Sequence, residues 1–362
     1  MNPENHQEPE MTKVAADEDK SAKAPIFIIG GGRSGTTLMR YMLNAHPNIY
    51  LLEEACFYSW TKGLKKNKSK YKKRIDNFLN SFSFAWLRIP RAEVALPEDQ
   101  YNSEEAMKQV FINTMKVKAA SLGKTRYGEK NPMNLMFLDK LFEDFPDAKV
   151  IHMVRDPRAQ VYSHKTMPFS TPSLLMACYA VKSSFRQIHE HDERILPIRL
   201  EDLIKTPEDM MRKVLSFVDE PWSDQVLHHD QFSIPGDGIP FPWLNEAGGT
   251  RKTKKLKWKE QLSPAWIRLI EKWQKKTMVR YGYAPLELPQ EPGALAFTGA
   301  ILKDIPVLFK SIFQVFVVVT KLGFTDKNDT KRMQQLIHSF NPWAWDTQPE
   351  WNAELPTPPE LV

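Results

Sequence analysis

Cysteine is scarce in this chain of 362 residues, which contains only Cys56 and Cys178. Two cysteines cannot form a disulfide framework or a metal site of paired cysteines, so they favour a reducing compartment. The first 24 residues are polar and acidic, and they contain no hydrophobic core of a signal peptide. We therefore expect a cytoplasmic protein whose residues 1–24 form a disordered tail.

Long apolar runs and clusters of metal ligands are also lacking. Residues 25–31, "PIFIIGG", are too short to span a bilayer and predict a buried strand instead. Histidines and cysteines do not cluster along the sequence, so we expect no metal ion. We interpret His46 and His152 as structural residues.

Residues 293–324 are strongly apolar, but three charged residues and a proline interrupt them. These are Lys303, Asp304, Pro306 and Lys310. The segment is therefore not a clean membrane span. It predicts either an amphipathic helix that contacts a membrane peripherally or a helix docked on the domain.

The net charge of +6 favours anionic partners. Lysine-rich runs at 62–74 and 251–259 hold much of the excess, although such runs commonly form solvated faces. We expect no nucleic-acid partner, and the sequence leaves the oligomeric state open.

Strand and helix patterns alternate along the chain. Short apolar runs predict strands at 25–30, 49–54, 149–154 and the start of 194–218. Residues 57–120 have a helical and basic pattern, and 127–148 predict a loop followed by a helix from Pro132. This alternation predicts an α/β fold, in which a P-loop-like parallel β-sheet is flanked by α-helices on both faces.

The sequence predicts three regions and no internal repeats. The disordered tail at 1–24 precedes the main domain at 25–288, and a C-terminal extension follows at 289–362.

A phosphate-binding loop is predicted directly after the first strand. Gly30 and Gly35 have the spacing of the P-loop pattern G-x-x-x-x-G-K-[ST], but Thr36 stands where the lysine belongs. A glycine-rich turn before a helix N-terminus binds anions through its backbone N–H groups and the helix dipole. Arg33 supplies the cation, and Thr37 adds a hydroxyl to that of Thr36. Without the usual lysine, this loop is poorly built for a metal-bound triphosphate.

A second anion site is predicted after the third apolar run. Arg155 follows the strand, while Asp156 can cap the next helix and Pro157 can open it. Ser163 lies seven residues beyond Asp156, so two helical turns bring it back to the same side. Arg155 and Ser163 therefore suit a second phosphate at the carboxyl ends of the strands.

Two separate phosphate sites indicate a nucleotide with phosphates at both ends of its ribose. Two alternatives stay open from the residues alone. One is a metal-dependent P-loop kinase or NTPase, and the other is a binding module that keeps the nucleotide fold without catalysis.

Taken together, these motifs resemble the sulfotransferase superfamily, whose members use 3′-phosphoadenosine 5′-phosphosulfate (PAPS). "GGGRSGTTLM" (30–39) resembles the family's 5′-phosphosulfate loop, and "VRDPRAQVYS" (154–163) resembles its 3′-phosphate motif. The tyrosylprotein sulfotransferase-like branch is the most similar one, through "RSGTTLMRYMLNAHP" (33–47), the Glu53–Glu54 pair, "EKNP" (129–132) and "PWSDQVLHH" (221–229).

The resemblance implies a role for each matching residue in sulfuryl transfer to an acceptor hydroxyl. Glu54 matches the catalytic base and Lys130 matches the lysine on the leaving group, and Arg33 of the 5′ loop is the third residue expected to be catalytic. The residues implied in PAPS binding are Arg33, Ser34, Gly35, Thr36, Thr37, Arg155, Ser163, Arg251 and Lys252. The last two lie in a late basic loop that resembles the one closing over the nucleotide.

The chain departs from the tyrosylprotein branch near the Glu pair. The arginines that bind acidic peptides in that branch appear here as Cys56 and Trp60, and its paired cysteines appear as Leu51 and Gly128. We therefore expect the reaction to carry over. The acceptor is expected to be a small-molecule, lipid or glycan hydroxyl, with protein-tyrosine sulfation as the alternative.

Overall fold

The computed structural model describes residues 23–61, 69–167, 170–185, 188, 192–232 and 257–324. These residues contain a five-stranded sheet made of β1 (Ile26–Gly30), β2 (Ile49–Glu53), β3 (Arg126–Lys130), β4 (Lys149–Val154) and β5 (Ile195–Arg199). The strand order is β2-β3-β1-β4-β5, and every neighbouring pair is parallel. The predicted fold class is therefore confirmed.

Helices connect the strands and continue after the last one. The α-helices of the described residues are α1 (Thr36–Asn44), α2 (Phe57–Thr61), α3 (Ser69–Leu79), α4 (Phe82–Leu87), α5 (Arg91–Val94), α6 (Glu104–Ser121), α7 (Leu138–Asp144), α8 (Pro157–Lys165), α9 (Leu174–Ser184), α10 (Leu200–Lys205), α11 (Pro207–Phe217), α12 (Lys257–Gln261), α13 (Pro264–Trp273), α14 (Lys275–Arg280) and α15 (Ala294–Phe324). Short 3-10 helices cover Glu98–Gln100, Pro132–Phe137 and Asp224–Leu227.

Both faces of the central strand β1 are buried, because its side chains alternate between two apolar cores. Phe27 and Ile29 pack in a core with Phe111 of α6. Ile26 and Ile28 pack in the other core, which includes residues of α1 and α11. Burial on both sides explains why this strand has a continuous apolar sequence.

Strand β3 corrects the sequence prediction, which placed a loop at the start of 127–148. "RYGEK" has no apolar run, yet it pairs with both β1 and β2. Gly128 permits this position, since a Cβ atom there would lie 1.7 Å from the backbone oxygen of Ile26. The helix predicted from Pro132 begins instead as the 3-10 helix and continues as α7.

The apolar segment at 293–324 forms the single helix α15, which contains Pro306. Phe297, Ala300 and Ile301 of this helix pack against the core formed by α8, α9 and α13. One of the two predicted alternatives was a helix docked on the domain, and this face of α15 is docked in that way. Among the residues that the structure describes, no helix combines the length and apolar composition needed to cross a membrane.

Several predicted features lie outside the described residues. They include most of the tail at 1–24, parts of both lysine-rich runs (62–68 and 251–256) and the chain beyond 324. The disordered tail and the domain boundaries stay predictions.

Candidate active site

The predicted phosphate loop joins β1 to α1. Arg33 and Gly35 adopt left-handed backbone conformations, with φ angles of 68° and 97°. Within the described part of the chain, no side chain caps the N-terminus of α1, and its first turn contains no acidic residue. The positive end of this helix therefore faces the loop without a compensating carboxylate, which suits an anion.

Helix α8 packs tightly beneath the loop. Gln160 donates a hydrogen bond from Nε2 to the backbone oxygen of Gly32 at 2.8 Å. A Cβ atom on Gly31 would lie 2.2 Å from the same Nε2 atom, so a larger residue there would displace the Gln160 side chain. The contact fixes the loop backbone against α8.

The structure brings the two predicted phosphate motifs together. Arg155 donates from Nη1 to the backbone oxygen of Arg33 at 2.9 Å, and Arg33 donates from Nε to Ser163 Oγ at 3.2 Å. Asp156 caps α8 by accepting the N–H of Arg158, and Pro157 opens the helix, which confirms the predicted local structure. Two guanidinium groups and one hydroxyl thus converge beside the loop.

The hydroxyl residues of the loop differ in exposure. Ser34 is 1% exposed, and its Oγ atom has no hydrogen-bond partner among the described residues. Thr36 is buried and Thr37 is half-buried at the start of α1. An unpaired buried hydroxyl destabilises a protein by about 1–3 kcal/mol, and an anion oxygen in the loop would supply the missing acceptor. The residues present therefore fit a phosphate or phosphosulfate group.

Four charged side chains meet at the carboxyl ends of β2 and β3. Lys130 Nζ is fully buried and lies 2.6 Å from Glu54 Oε1 and 3.2 Å from Glu53 Oε1. Arg40 of α1 is also fully buried, and its Nη1 atom lies 3.7 Å from Glu53 Oε2. Burial disfavours the charged form of Lys130, but the two carboxylates outweigh burial and raise its pKa.

Exposure distinguishes the two carboxylates of the pair. The side chain of Glu53 is 3% exposed, whereas that of Glu54 is 41% exposed. Glu53 is the last residue of β2 and pairs with Lys130 in the sheet register. Glu54 lies beyond the strand and is therefore the carboxylate that a substrate can reach.

The turn that carries Glu54 has an unusual backbone. Glu54 and Cys56 both have left-handed φ angles, of 40° and 56°. The N–H of Glu54 donates to the backbone oxygen of Lys130 at 2.9 Å, and the N–H of Cys56 donates to Glu129 Oε1 at 3.1 Å. Consecutive residues of β3 thus hold both ends of the turn.

Glu129 is fully buried and accepts two further hydrogen bonds. Asn131 Nδ2 donates to its Oε1 at 3.2 Å, and Asn134 Nδ2 donates to its Oε2 at 2.6 Å. Burial raises the pKa of Glu129 to about 7, although the hydrogen bonds from Asn134, Asn131 and Cys56 oppose this shift.

Three histidines have pKa values lowered by burial. His46 bonds the backbone at Pro221 and Asn48, and burial lowers its pKa. The pKa of His152 falls to about 3, which agrees with the structural role expected for both residues. His164 lies against the loop at Gly32, and burial together with the charge of Arg33 lowers its pKa to about 4. Across the described ranges, no group of three or more His, Cys, Asp or Glu residues could hold a metal ion.

Four other residues were named from the sequence, and the structure describes two of them. Arg251 and Lys252 lie outside the described residues, so their role stays a prediction. Cys56 is half-buried, and the Trp60 indole donates from Nε1 to Ser83 Oγ at 3.4 Å.

A cavity of about 210 Å³ lies among α2, α3, α6 and α7. Neither Glu54 nor Lys130 lines it. It is therefore not the place where these two groups would act.

Four site residues were missed by the sequence reasoning: Arg40, Glu129, Gln160 and His164. Ser163 and His164 lie three and four residues after Gln160, so the predicted helix contained a signal for a shared face. Arg40 lies four residues after Thr36 on α1, which is a weaker signal of the same kind. Glu129 lies within the quoted "EKNP" run, but because its strand was not predicted, its contact with the turn after β2 was missed.

Known proteins are similar to this chain over most of the described fold. The family model described as "Sulfotransferase family" matches residues 25–224, which is more than half of the chain. Protein-tyrosine sulfotransferase 1 of Danio rerio is 28% identical over 285 residues, covering 75% of this chain and 70% of that protein. The protein-tyrosine sulfotransferase of Drosophila melanogaster is 30% identical over 230 residues, covering 60% and 42%. A sulfotransferase from Mycobacterium avium of known structure is 16% identical, with a TM-score of 0.41 over 75% of this chain and 79% of that one.

Proposed function

Since this chain belongs to the sulfotransferase family, as its motifs indicated, we propose that it transfers the sulfuryl group of PAPS to an acceptor hydroxyl. The observation that carries this proposal is the convergence of Arg33, Arg155 and Ser163 beside the uncapped N-terminus of α1. A nucleotide that bears phosphates at both its 5′ and 3′ positions needs two neighbouring anion sites. A linear triphosphate does not need the second one.

The two motifs divide the binding of the nucleotide. The 5′-phosphosulfate is held by Arg33, Ser34, Gly35, Thr36 and Thr37, and the 3′-phosphate by Arg155 and Ser163. When bound, PAPS supplies a sulfuryl group activated by a phosphate leaving group. Arg33 and the N–H groups of α1 stabilise the negative charge that develops during transfer.

Glu54 acts on the acceptor hydroxyl, and Lys130 acts on the leaving phosphate. The acceptor hydroxyl must lose its proton, and the half-exposed Glu54 carboxylate accepts it as a general base. Lys130 stays protonated because its pKa is raised, and it stabilises the charge on the departing phosphate. Its 2.6 Å contact with Glu54 also fixes the orientation of the base.

Ligand-induced stabilisation tests the two-phosphate site. We expect 3′,5′-adenosine bisphosphate to raise the melting temperature of the wild-type protein, since a ligand at 100 times its Kd stabilises by about 2.7 kcal/mol. Arg155→Ala should lose this shift, whereas Arg212→Ala, a change at an exposed arginine of α11, should keep it. A shift with ATP–Mg and none with the bisphosphate would contradict the proposal and favour a triphosphate-using enzyme.

We propose a small-molecule, lipid or glycan hydroxyl as the acceptor, rather than an acidic tyrosine peptide. The support is the presence of Cys56 and Trp60 where the tyrosylprotein branch has peptide-binding arginines. Burial of the Cys56 thiol raises its pKa, so this position supplies no charge to a peptide. Sulfate incorporation from labelled PAPS should be compared between phenols, sterols, glycolipids and an acidic tyrosine peptide. Preferential labelling of the peptide would refute this choice.

We further propose that α15 contacts an anionic membrane surface. Leu295, Leu302, Phe309 and Phe316 repeat every seven residues and are between 59% and 89% exposed. The residues Asp304, Ser311 and Val318 have the same spacing and are buried, so the helix has one inner and one outer face.

The charges of α15 match this partner. Its acidic residue, Asp304, points inward and accepts hydrogen bonds from Ser173 Oγ and from the N–H groups of Leu174 and Leu175. Lys303 and Lys310 are exposed, and they follow Leu302 and Phe309 directly in sequence. An apolar outer face bordered by lysines is typical of helices that lie in the interface of an anionic membrane.

Liposome co-sedimentation tests the α15 proposal. Vesicles containing phosphatidylserine should bind the full-length protein more strongly than pure phosphatidylcholine vesicles. The triple variant Leu302→Ser, Phe309→Ser, Phe316→Ser should lose binding, while the control Val279→Ser, at an exposed position of α14, should keep it. The proposal fails if the triple variant binds these vesicles as strongly as the wild type. It also fails if the wild-type protein is a dimer that the triple variant dissociates, since a second copy would then cover this face of α15.

We also propose a cytoplasmic location for the enzyme, supported by its low cysteine content. Fractionation of its native cells should recover the protein in two fractions. One is the cytosol, and the other is the high-salt wash of the membranes. Protection from added protease by intact membrane compartments would contradict this location.

A further inference from the structure

Glu129 is a buried carboxylate to which the transfer mechanism gives no role. Its side chain lies beside the turn Glu54–Ala55–Cys56, and it accepts the N–H of Cys56 at 3.1 Å. The same carboxylate accepts hydrogen bonds from Asn134 of the following 3-10 helix and from Asn131, which caps that helix. Asn131 is itself bonded to β1 through its N–H and the backbone oxygen of Ile28. The turn that presents Glu54 is therefore tied to the strand that leads into the phosphate loop.

The backbone of this turn needs an external anchor. Non-glycine residues with left-handed φ angles are uncommon, because this conformation is strained and persists only where the surrounding structure holds it. Glu54 and Cys56 both have such angles. Lys130 holds the N–H of Glu54 through its backbone oxygen, so Glu129 supplies the second anchor.

We propose that Glu129 is a positioning residue, whose carboxylate holds the Glu54–Cys56 turn in the conformation that presents Glu54 to the acceptor. This inference rests on the proposed sulfuryl transfer with Glu54 as the base. Glu129 does not touch the reacting groups in this role, and it acts through the Cys56 amide alone.

The ionised carboxylate is the better anchor, since it accepts all three N–H donors that surround it. The titratable groups that face it are Glu54, Cys56 and Tyr58. Burial raises the pKa of the Cys56 thiol and of the Tyr58 phenol well above their ordinary values, so both stay neutral near pH 7. The negative charge of Glu54 opposes ionisation of Glu129. The anchor should therefore strengthen as pH rises through about 7.

The two cysteines of the chain allow a direct test. Selective ¹⁵N-cysteine labelling gives one amide signal for Cys56 and one for Cys178, which lies on α9 and serves as the internal control. In the wild-type protein the Cys56 amide should shift with pH around a midpoint near 7. Glu129→Gln keeps an acceptor oxygen but cannot ionise, so its Cys56 signal should not titrate. If the chemical shift of the wild-type Cys56 amide does not change with pH, the proposal is overturned.

Kinetics separate positioning from a merely structural role. Glu129→Ala removes the acceptor, and kcat should fall about tenfold to 10²-fold while the KM for PAPS is unchanged, because only the base is displaced. Glu129→Gln keeps a neutral acceptor, so its kcat should lie above that of Glu129→Ala and near the level that the wild type has below pH 7. Wild-type kcat in Glu129→Ala would refute the role. In the wild type, kcat should rise with pH through about 7 as Glu129 ionises. If Glu129→Ala does not fold, the Gln variant still tests the role, because its kcat should not show this rise.

The outcomes also distinguish this inference from the proposed function. If the wild type transfers sulfuryl groups to no acceptor but its Cys56 amide titrates, the proposed function fails and the anchor of the turn is supported. If transfer occurs and Cys56 does not titrate, the proposed function stands and the inference about Glu129 fails.

Discussion

Replacing Glu129 with glutamine should stabilise the protein in alkaline solution far more than in acid. The pKa of Glu129 is raised from 4.5 to about 7, chiefly by burial, so the folded protein binds a proton that the unfolded chain has already lost. The stability that this group contributes is complete below pH 4.5 and is lost as pH rises through 7. Glutamine does not ionise, so the Glu129→Gln variant does not lose stability in this pH range.

The size of the effect follows from the two pKa values. The pKa of Glu129 rises from 4.5 to about 7 on folding, and a difference of one in pKa corresponds to about 1.36 kcal/mol. Part of this free-energy difference is already present at pH 5, because a carboxyl with a pKa of 4.5 is largely ionised there in the unfolded chain. The difference in free energy of unfolding between Glu129→Gln and wild type should therefore grow by about 2–3 kcal/mol between pH 5 and pH 8.

Urea unfolding of both proteins at the two pH values measures this difference, because the other titrating groups cancel between them. Glu105→Gln on the exposed surface of α6 controls for the loss of one negative charge from the chain. A difference that changes by less than about 0.5 kcal/mol would refute the argument that a buried, proton-binding carboxyl lies at this position.

Three further predictions concern the site and its strand. Glu54→Gln should lower kcat by about 10²–10⁴-fold, as loss of a general base does, while the melting shift with 3′,5′-adenosine bisphosphate persists; full activity would exclude this base. Lys130→Ala should reduce the free energy of unfolding by about 3–5 kcal/mol, because it removes the buried cation that lies nearest to both carboxylates, and an unchanged urea midpoint would contradict the ion pair. Gly128→Ala should yield little folded protein in expression and circular dichroism, since its Cβ would meet the Ile26 backbone oxygen at 1.7 Å. Gly299→Ala, which has open space on α15, is its control and should stabilise by up to about 1 kcal/mol.

Local patterns made a large part of this protein predictable. The apolar run of β1, the glycine spacing of the loop and the Asp156–Pro157 helix start each depend on neighbours within a few residues. The structure confirms all three. The two phosphate motifs were also predicted to face one ligand, because the carboxyl ends of parallel strands lie at one edge of a sheet. The contacts among Arg33, Arg155 and Ser163 agree with that expectation.

Strand β3 could not be predicted in this way. Its sequence "RYGEK" has neither an apolar run nor an alternating pattern, and its position between β1 and β2 depends on pairing with residues about 75 to 100 positions away. Misplacing this strand concealed the environment of Lys130 and all contacts of Glu129.

By itself, the sequence determined the chemistry of the site, because the residue types and their spacing within each motif are local properties of the chain. The tertiary structure decided which charges meet. It buried Arg40, Glu53 and Lys130 together, left Glu54 exposed beyond the strand end, and set Glu129 against the Cys56 amide. These contacts join residues that are far apart in the chain. They exist only once the sheet brings the ends of β2 and β3 side by side.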